Sequence, residues 1–410
     1  MLQLINSQCF SRAKAMLATL LFVLITCPAW ASGEADSSAG SAEHGAAIEQ
    51  VHGEAAAGVE SHGQAKKKFD AGDMIMKHIG DSHDWHLWGE GHHAVSVPLP
   101  VILYNSQRGL TAFMSGNFHH GEMTYKGYKL NGKGKIETVN EMEAIPAGSS
   151  TVNEELNAST IDFSITKNVA ALFFSIILIL WMFISVAKAY SRRKGEAPKG
   201  LQSLIEPLVI FVRDDIAKAS IGPKYEKFMP YLLTVFFFIW INNLLGLIPI
   251  LPGGANVTGN IAVTLTLAVL TFIITSFSAN KSYWRHVFAM PGVPLGVLVL
   301  LTPIELLGVF LRPFVLTIRL FANITAGHII ALSFFSLIFI FGESSAGAGW
   351  GVSILSVAFV IFMTVLELLV AFLQAYVFTF LSAIYFGAAV EEHHHDSEGH
   401  DAHVEEAAII

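Results

Sequence analysis

Apolar residues in this chain gather into long blocks separated by short polar or basic stretches, and the block lengths predict membrane-spanning helices. The blocks run from Val169 to Val186, Phe228 to Ile248, Ile261 to Phe277, Pro303 to Phe341 and Gly351 to Ala388. A hydrocarbon core of about 30 Å takes roughly 20 helical residues, so the pattern predicts five spans. At about 1.5 Å per residue each of the last two would run about 57 Å as a single helix, so both must tilt steeply or break. Pro313 and Gly308 are candidate kink sites in the first of that pair. Between the first two blocks, Leu204, Leu208, Phe211 and Val212 recur at helical spacing. Arg213, Asp214, Asp215 and Lys218 supply a polar side, so Gln202 to Ser220 reads as an amphipathic surface helix or a soluble loop helix.

The chain ends follow other rules. Arg12 and Lys14 precede an apolar run from Ala15 to Ile25 and then Ala29-Trp30-Ala31, the layout of a secretory signal over residues 1–31, with an uncleaved anchor as the alternative. Residues 32–94 form a His-rich, low-complexity segment, disordered at least to about Lys68 for want of large apolar residues. Within residues 95–160 short β-type runs appear: Val95 to Tyr104, Leu110 to Met114, and Tyr128-Lys129-Leu130 joined through Asn131-Gly132 to Lys135-Ile136-Glu137 as a hairpin. The membrane domain then occupies residues 161–390, and a His- and acid-rich tail residues 391–410. Lys188, Arg192, Arg193 and Lys194 after the first span, and Lys281 and Arg285 after the third, mark the cytoplasmic side. The mature amino end is thereby outside and the tail in the cytoplasm of a bacterial inner membrane. The fold class is an all-α polytopic membrane protein preceded by an exported extension with a small β-rich module.

Composition agrees: 53% of the 410 residues are hydrophobic and 14% charged, which excludes an ordinary globular chain. The formal charge of -8 argues against nucleic acid as a partner. Both cysteines, Cys9 and Cys27, lie in the leader, so a processed chain has no disulfide. No phosphate loop of the Gly-x-x-x-x-Gly-Lys type occurs, and no cofactor is expected. His83, His86, His92 and His93 with Asp81, Asp84 and Glu90 form one His-rich cluster, and His393 to His395 with His400 and His403 a second. Neither follows a firm metal spacing, so both read as solvated polar segments, with metal binding or proton buffering as the second reading.

The chemistry concentrates in the last two blocks. Arg319 lies mid-block, where a guanidinium costs roughly 2.5 to 3.5 kcal/mol and cannot deprotonate. Glu305, Arg312 and Arg319 are seven apart and so share one helix face, which Asn323 extends. Glu305 and Arg312 fit either a structural ion pair or a functional stripe; Arg319 has no acid within a turn and points to function. Glu367 and Gln374, also seven apart, are the most polar interior residues of the final block. Antiparallel pairing keeps index sums nearly constant, and 319 with 374 gives 693 while 328 with 367 gives 695. The register therefore sets Gln374 near Arg319 and Glu367 near His328. Imidazole and carboxylate can both exchange protons near neutral pH, so this predicts a proton path reaching mid-membrane.

Arg319-Leu320-Phe321-Ala322-Asn323-Ile324-Thr325-Ala326-Gly327-His328 resembles the signature of subunit a of the F-type rotary ATP synthases. The resemblance extends to Asn243-Leu244-Leu245-Gly246-Leu247-Ile248-Pro249, to Ala262 to Leu265 and to Leu373-Gln374-Ala375-Tyr376-Val377-Phe378, and covers roughly Ile161 to His393. It implies that Arg319 faces a rotating ring of c subunits across two offset half-channels, positioned by Gln374 and Asn323. His328 and Glu367 would line the external half-channel and Glu305 would lie toward the cytoplasmic one. It also implies b subunits of the peripheral stalk and the remaining synthase subunits as partners, with catalysis left to them, in surrounding membrane lipid. Gly259 and Asn260 stand near where some members carry an acid at the outer channel mouth. An ion-coupled secondary transporter and a membrane-anchored metal-binding protein are the competing classes; the first should show an internal repeat, and none is evident.

Overall fold

The computed structural model describes residues 70–88, 95–131, 134–193, 196–248, 253–290 and 293–391. The expected signal, the following low-complexity segment and the His-rich tail lie outside the described residues.

The amino-terminal module begins with α1 (Ala71–Ile79), includes the short α2 (Glu154–Ala158) and among the described residues carries seven short strands, all paired antiparallel. β1 (Asp84–Trp88) pairs with β2 (Val95–Pro98), while β3 (Pro100–Asn105) lies between β4 (Gly109–Met114) and β7 (Thr160–Asp162). β5 (Tyr128–Leu130) and β6 (Ile136–Thr138) form the hairpin expected from Asn131-Gly132. Alternation along β3 turns Val101 and Leu103 inward to meet Phe118 and Tyr128 in a small core, with Tyr104 outside. The Arg108 guanidinium closes that core by donating to the carbonyls of Gly127 and Val139, each at 2.8 Å.

Two expectations need correction. The run Val95 to Tyr104 is two strands with different partners, because Pro98 and Pro100 lack the N–H groups a continuous ladder needs. The strands also reach beyond residues 95–160 at both ends, to Asp84 and to Asp162.

The module is tied to the membrane part through Asp81. Its carboxylate accepts from the Thr166 hydroxyl at 2.7 Å and the Asn168 backbone N–H at 3.0 Å. The buried Lys167 donates to the His78 carbonyl at 3.1 Å. These contacts satisfy donors at the start of α3 (Lys167–Arg192), the first of five helices among the described residues that are long and apolar enough to cross a membrane. α4 (Leu201–Phe211) follows and passes through a π-helical turn, Val212–Lys218, toward α5 (Tyr225–Leu247). The inward residues of this stretch are Gln202, Ile205, Val212 and Ile216, with Leu208 and Phe211 packed against the same core, so three of the four apolar residues of the inferred stripe face the bundle while Leu204 is 59% exposed. In an apolar solvent hydrophobicity does not mark the protein-facing side.

α5 is the centre of the bundle, with Phe228, Phe236, Phe237, Phe238 and Ile239 almost fully buried. α6 (Ile261–Ser278) and the short α7 (Lys281–Phe288) lead to α8 (Leu295–Ser344) and α9 (Ala346–Val390), of 50 and 45 residues. α8 remains one helix through Pro303, Gly308 and Pro313, so of the two expectations the break does not occur at those positions. Much of α8 and α9 leaves apolar side chains uncovered, among them Phe310, Phe314, Ile318, Ile361 and Leu369.

Candidate functional site

α8 and α9 run antiparallel on either side of Ser345, and one polar contact reports their register. Nδ1 of His328 lies 3.3 Å from Oε1 of Glu367, with side chains only 18% and 13% exposed. The helices can approach this closely because residue 327 is glycine: a methyl there would come within 2.6 Å of the same carboxylate oxygen. The pairing deduced from index sums is therefore present at this end. At the other end Gln374 is buried, but no hydrogen bond joins it to Arg319, so depth matching there does not amount to a contact.

Arg319 is exposed, as is Asn323 one turn further on, and among the described residues Arg319 takes part in no hydrogen bond or ion pair. Nine residues separate it from His328, which is half a turn out of phase and looks into the bundle. The lower part of the stripe behaves differently. Arg312 lies 3.9 Å from Glu305, donates to the Tyr283 hydroxyl at 3.2 Å and sits over the Tyr385 ring at 5.4 Å. Glu305 and Arg312 are thus an internal pair, leaving Arg319 as the stripe's unanswered cation.

A methyl on Gly246 would sit 3.8 Å from His328 Nε2, so the end of α5 borders the imidazole. Asn243 donates to the Ala371 carbonyl at 3.1 Å and accepts from Thr258 at 2.5 Å, tying α5, α9 and residues 253–260 together. Gly259 donates its backbone N–H to Asn256 at 2.9 Å, and Asn260 caps α6 by accepting from the Ala262 N–H at 2.9 Å. Those two positions therefore build the turn. Asn242 Oδ1, Asn256 Nδ2 and Thr325 Oγ1 are buried without a hydrogen-bond partner among the described residues, and Glu367 Oε1 has the His328 imidazole at 3.3 Å as its one charged neighbour. Buried polar atoms left unpaired cost about 1–3 kcal/mol each, a cost that water beside them would relieve. The signal was available as the Asn242-Asn243 pair within an apolar block, but the link from Asn243 to α9 and to Thr258 was not.

Of the first His-rich cluster, His83 is buried in a pair with Asp162, Nε2 to Oδ2 at 3.2 Å, and its Nδ1 meets the Gly134 carbonyl at 3.1 Å. His92, His93 and Glu90 lie outside the described residues, as does the carboxyl-terminal cluster. Among the described residues no three His, Cys, Asp or Glu side chains converge as metal ligands.

Among the described residues, five apolar helices, an unpaired cation on an open face of α8 and a buried imidazole–carboxylate pair on that helix's other side define a multi-pass ion-translocating membrane protein. The sequence profile described as ATP synthase A chain matches residues 169–387, and a second, described as a domain of unknown function, matches residues 74–163. "ATP synthase subunit a 2" of Chlorobaculum tepidum is 49% identical over 259 residues, 62% of this chain and 69% of that protein. "ATP synthase subunit a" of Chloroherpeton thalassium is 44% identical over 243 residues, covering 58% and 70%. The relative of the same name from Anaeromyxobacter sp. is 40% identical over 273 residues, covering 64% and 63%. The chain belongs to the ATP synthase subunit a family, non-catalytic, proton-translocating membrane subunits of that complex.

Proposed function

We propose that this chain is the stator half of the proton path, working against a ring of c subunits. Arg319 is the fixed charge that blocks a short circuit. The observation that carries this is the exposure of an unpaired guanidinium on the open face of α8, one turn from Asn323. A permanent cation lowers the pKa of a carboxylate brought opposite it and makes that group release its proton, so a protonated site does not slip past. Each proton crossing 100 mV supplies about 2.3 kcal/mol, which becomes torque only while that leak stays closed.

His328 and Glu367 receive protons from the side of residues 253–260, through the unpaired polar atoms of Asn256, Asn242 and Thr325. Glu305 serves the opposite side with Arg312 as its partner, and Gln374 and Asn323 shape the surroundings of Arg319. In this reading the amino-terminal module is exported, the carboxyl tail is cytoplasmic, and the membrane is a bacterial inner membrane. The b subunits of the peripheral stalk hold the chain against rotation. Replacing Arg319 with Ala in the assembled synthase is expected to abolish ATP-driven proton pumping in inverted vesicles while the complex still assembles. Pumping at the wild-type rate would refute the reading.

A further inference from the structure

We propose that the basic end of α3 and the start of α4 enclose a binding site for the phosphate of an anionic phospholipid. A cavity of about 360 Å³ opens there, lined by Lys188, Arg192, Arg193, Lys199, Leu201 and Gln202. No acid lines it, and among the described residues none of the four cations forms an ion pair. Four like charges brought around one cavity repel one another, so the fold tolerates them there only where an anion or water answers them. Basic residues at the end of a span ordinarily mark topology, and scattered solvated lysines would do that as well. These are gathered into a concavity between two helices.

Two further observations select lipid. Ile177, Trp181 and Ile184 are 65%, 61% and 48% exposed and lie along one stripe of α3, and Lys188 is the next residue of that stripe. A lipid whose acyl chains lie on Ile177 and Trp181 has its phosphate at the level of Lys188 and Arg192. This is the arrangement basic pockets between membrane helices use for acidic headgroups. Gln202 is only 3% exposed, and its side-chain oxygen has no hydrogen-bond partner. A headgroup hydroxyl supplies the donor it lacks, which favours phosphatidylglycerol-type lipids over a bare phosphate.

The test uses the full-length chain in nonionic detergent, offered phosphatidylglycerol or phosphatidylcholine of matched acyl chains, with bound lipid counted by native mass spectrometry. The wild type is expected to prefer phosphatidylglycerol, and Arg192→Gln with Arg193→Gln to lose about thirtyfold of that preference, since each cation near a lipid surface is worth about 1 kcal/mol. Arg192→Lys with Arg193→Lys should keep it within about twofold by retaining the charge. If the glutamine pair does not fold, Lys188→Gln with Lys199→Gln carries the same expectation. Equal retention of the two lipids, or a preference unchanged by charge removal, overturns the site. Full displacement of lipid by excess inorganic phosphate overturns the lipid assignment in favour of a small-anion site. A neighbouring subunit filling the cavity in the assembled complex overturns it too.

Discussion

At the scale of single residues, the site depends on what each side chain is denied. Arg312 has Glu305, Tyr283 and the Tyr385 ring, whereas Arg319, seven residues on, has no partner among the described residues. The sequence separates the two only through the acid seven residues before Arg312 and the lack of one within a turn of Arg319. Gly327 is as specific as the charges it flanks, because any side chain there drives Glu367 away from His328. Gly327→Val is expected to cut proton pumping at least about tenfold, with a packing cost of about 1–3 kcal/mol. Pumping rates set against the amount of assembled complex check this. The signature of ten residues from Arg319 to His328 was readable directly. The parts played by Asn256 and Thr258 were not, since an uncharged loop of small and amide residues looks the same whether or not a histidine lies against it.

At the scale of elements, α8 and α9 form one long hairpin. At about 1.5 Å per residue, 50 residues reach about 75 Å, more than twice a hydrocarbon core of about 30 Å. Sequence arithmetic required tilt or a break, with Pro313 and Gly308 as candidate kink sites, and two prolines, Pro303 and Pro313, lie inside α8. They do not interrupt the helix because a proline removes only one hydrogen bond, which is a small loss beside a ladder of this length held on one side by α9. The tip of the hairpin is tight: a side chain on Gly349 would come within 2.9 Å of the Gly342 Cα atom. Gly349→Ala, which sets a methyl against that backbone, is therefore expected to lower the thermal stability of the detergent-solubilised chain through a packing cost of about 1–3 kcal/mol, and an unfolding midpoint equal to the wild type's would contradict the close approach.

At the scale of the whole molecule, the amino-terminal module is anchored to the bundle, with Asp81 capping the start of α3 and α1 packed against α8. Its charge pair gives a pH signature. Burial opposes the charged form of His83, but the hydrogen bond and charge of Asp162, with the Gly134 carbonyl, raise its pKa above the usual 6.5. Burial likewise works against the Asp162 carboxylate, yet His83 and Ser164 hold its pKa below the usual 3.8. The histidine's contribution to stability is then full below about pH 6.5 and is lost as pH rises through its raised value. That of the aspartate is full above about pH 3.8 and is lost as pH falls through its lowered value. Resistance of residues 70–163 to limited proteolysis should fall on the alkaline side of this window in the wild type, and that dependence should flatten in His83→Gln.

The sequence by itself determined five spans, a β-rich module before them, the placement of Arg319 on a polar stripe and the pairing of His328 with Glu367. Each follows from a one-dimensional rule: length against bilayer thickness, helical period, or constant index sum in an antiparallel pair. Only the tertiary structure decided that Gln374 makes no hydrogen bond with Arg319, that β3 pairs with β7 across more than fifty residues, and that Thr258 returns to Asn243 on α5. It also left Leu204 of α4 exposed. These depend on the rotation and separation of packed elements, and in an apolar solvent the same leucines and phenylalanines are satisfied facing either lipid or protein.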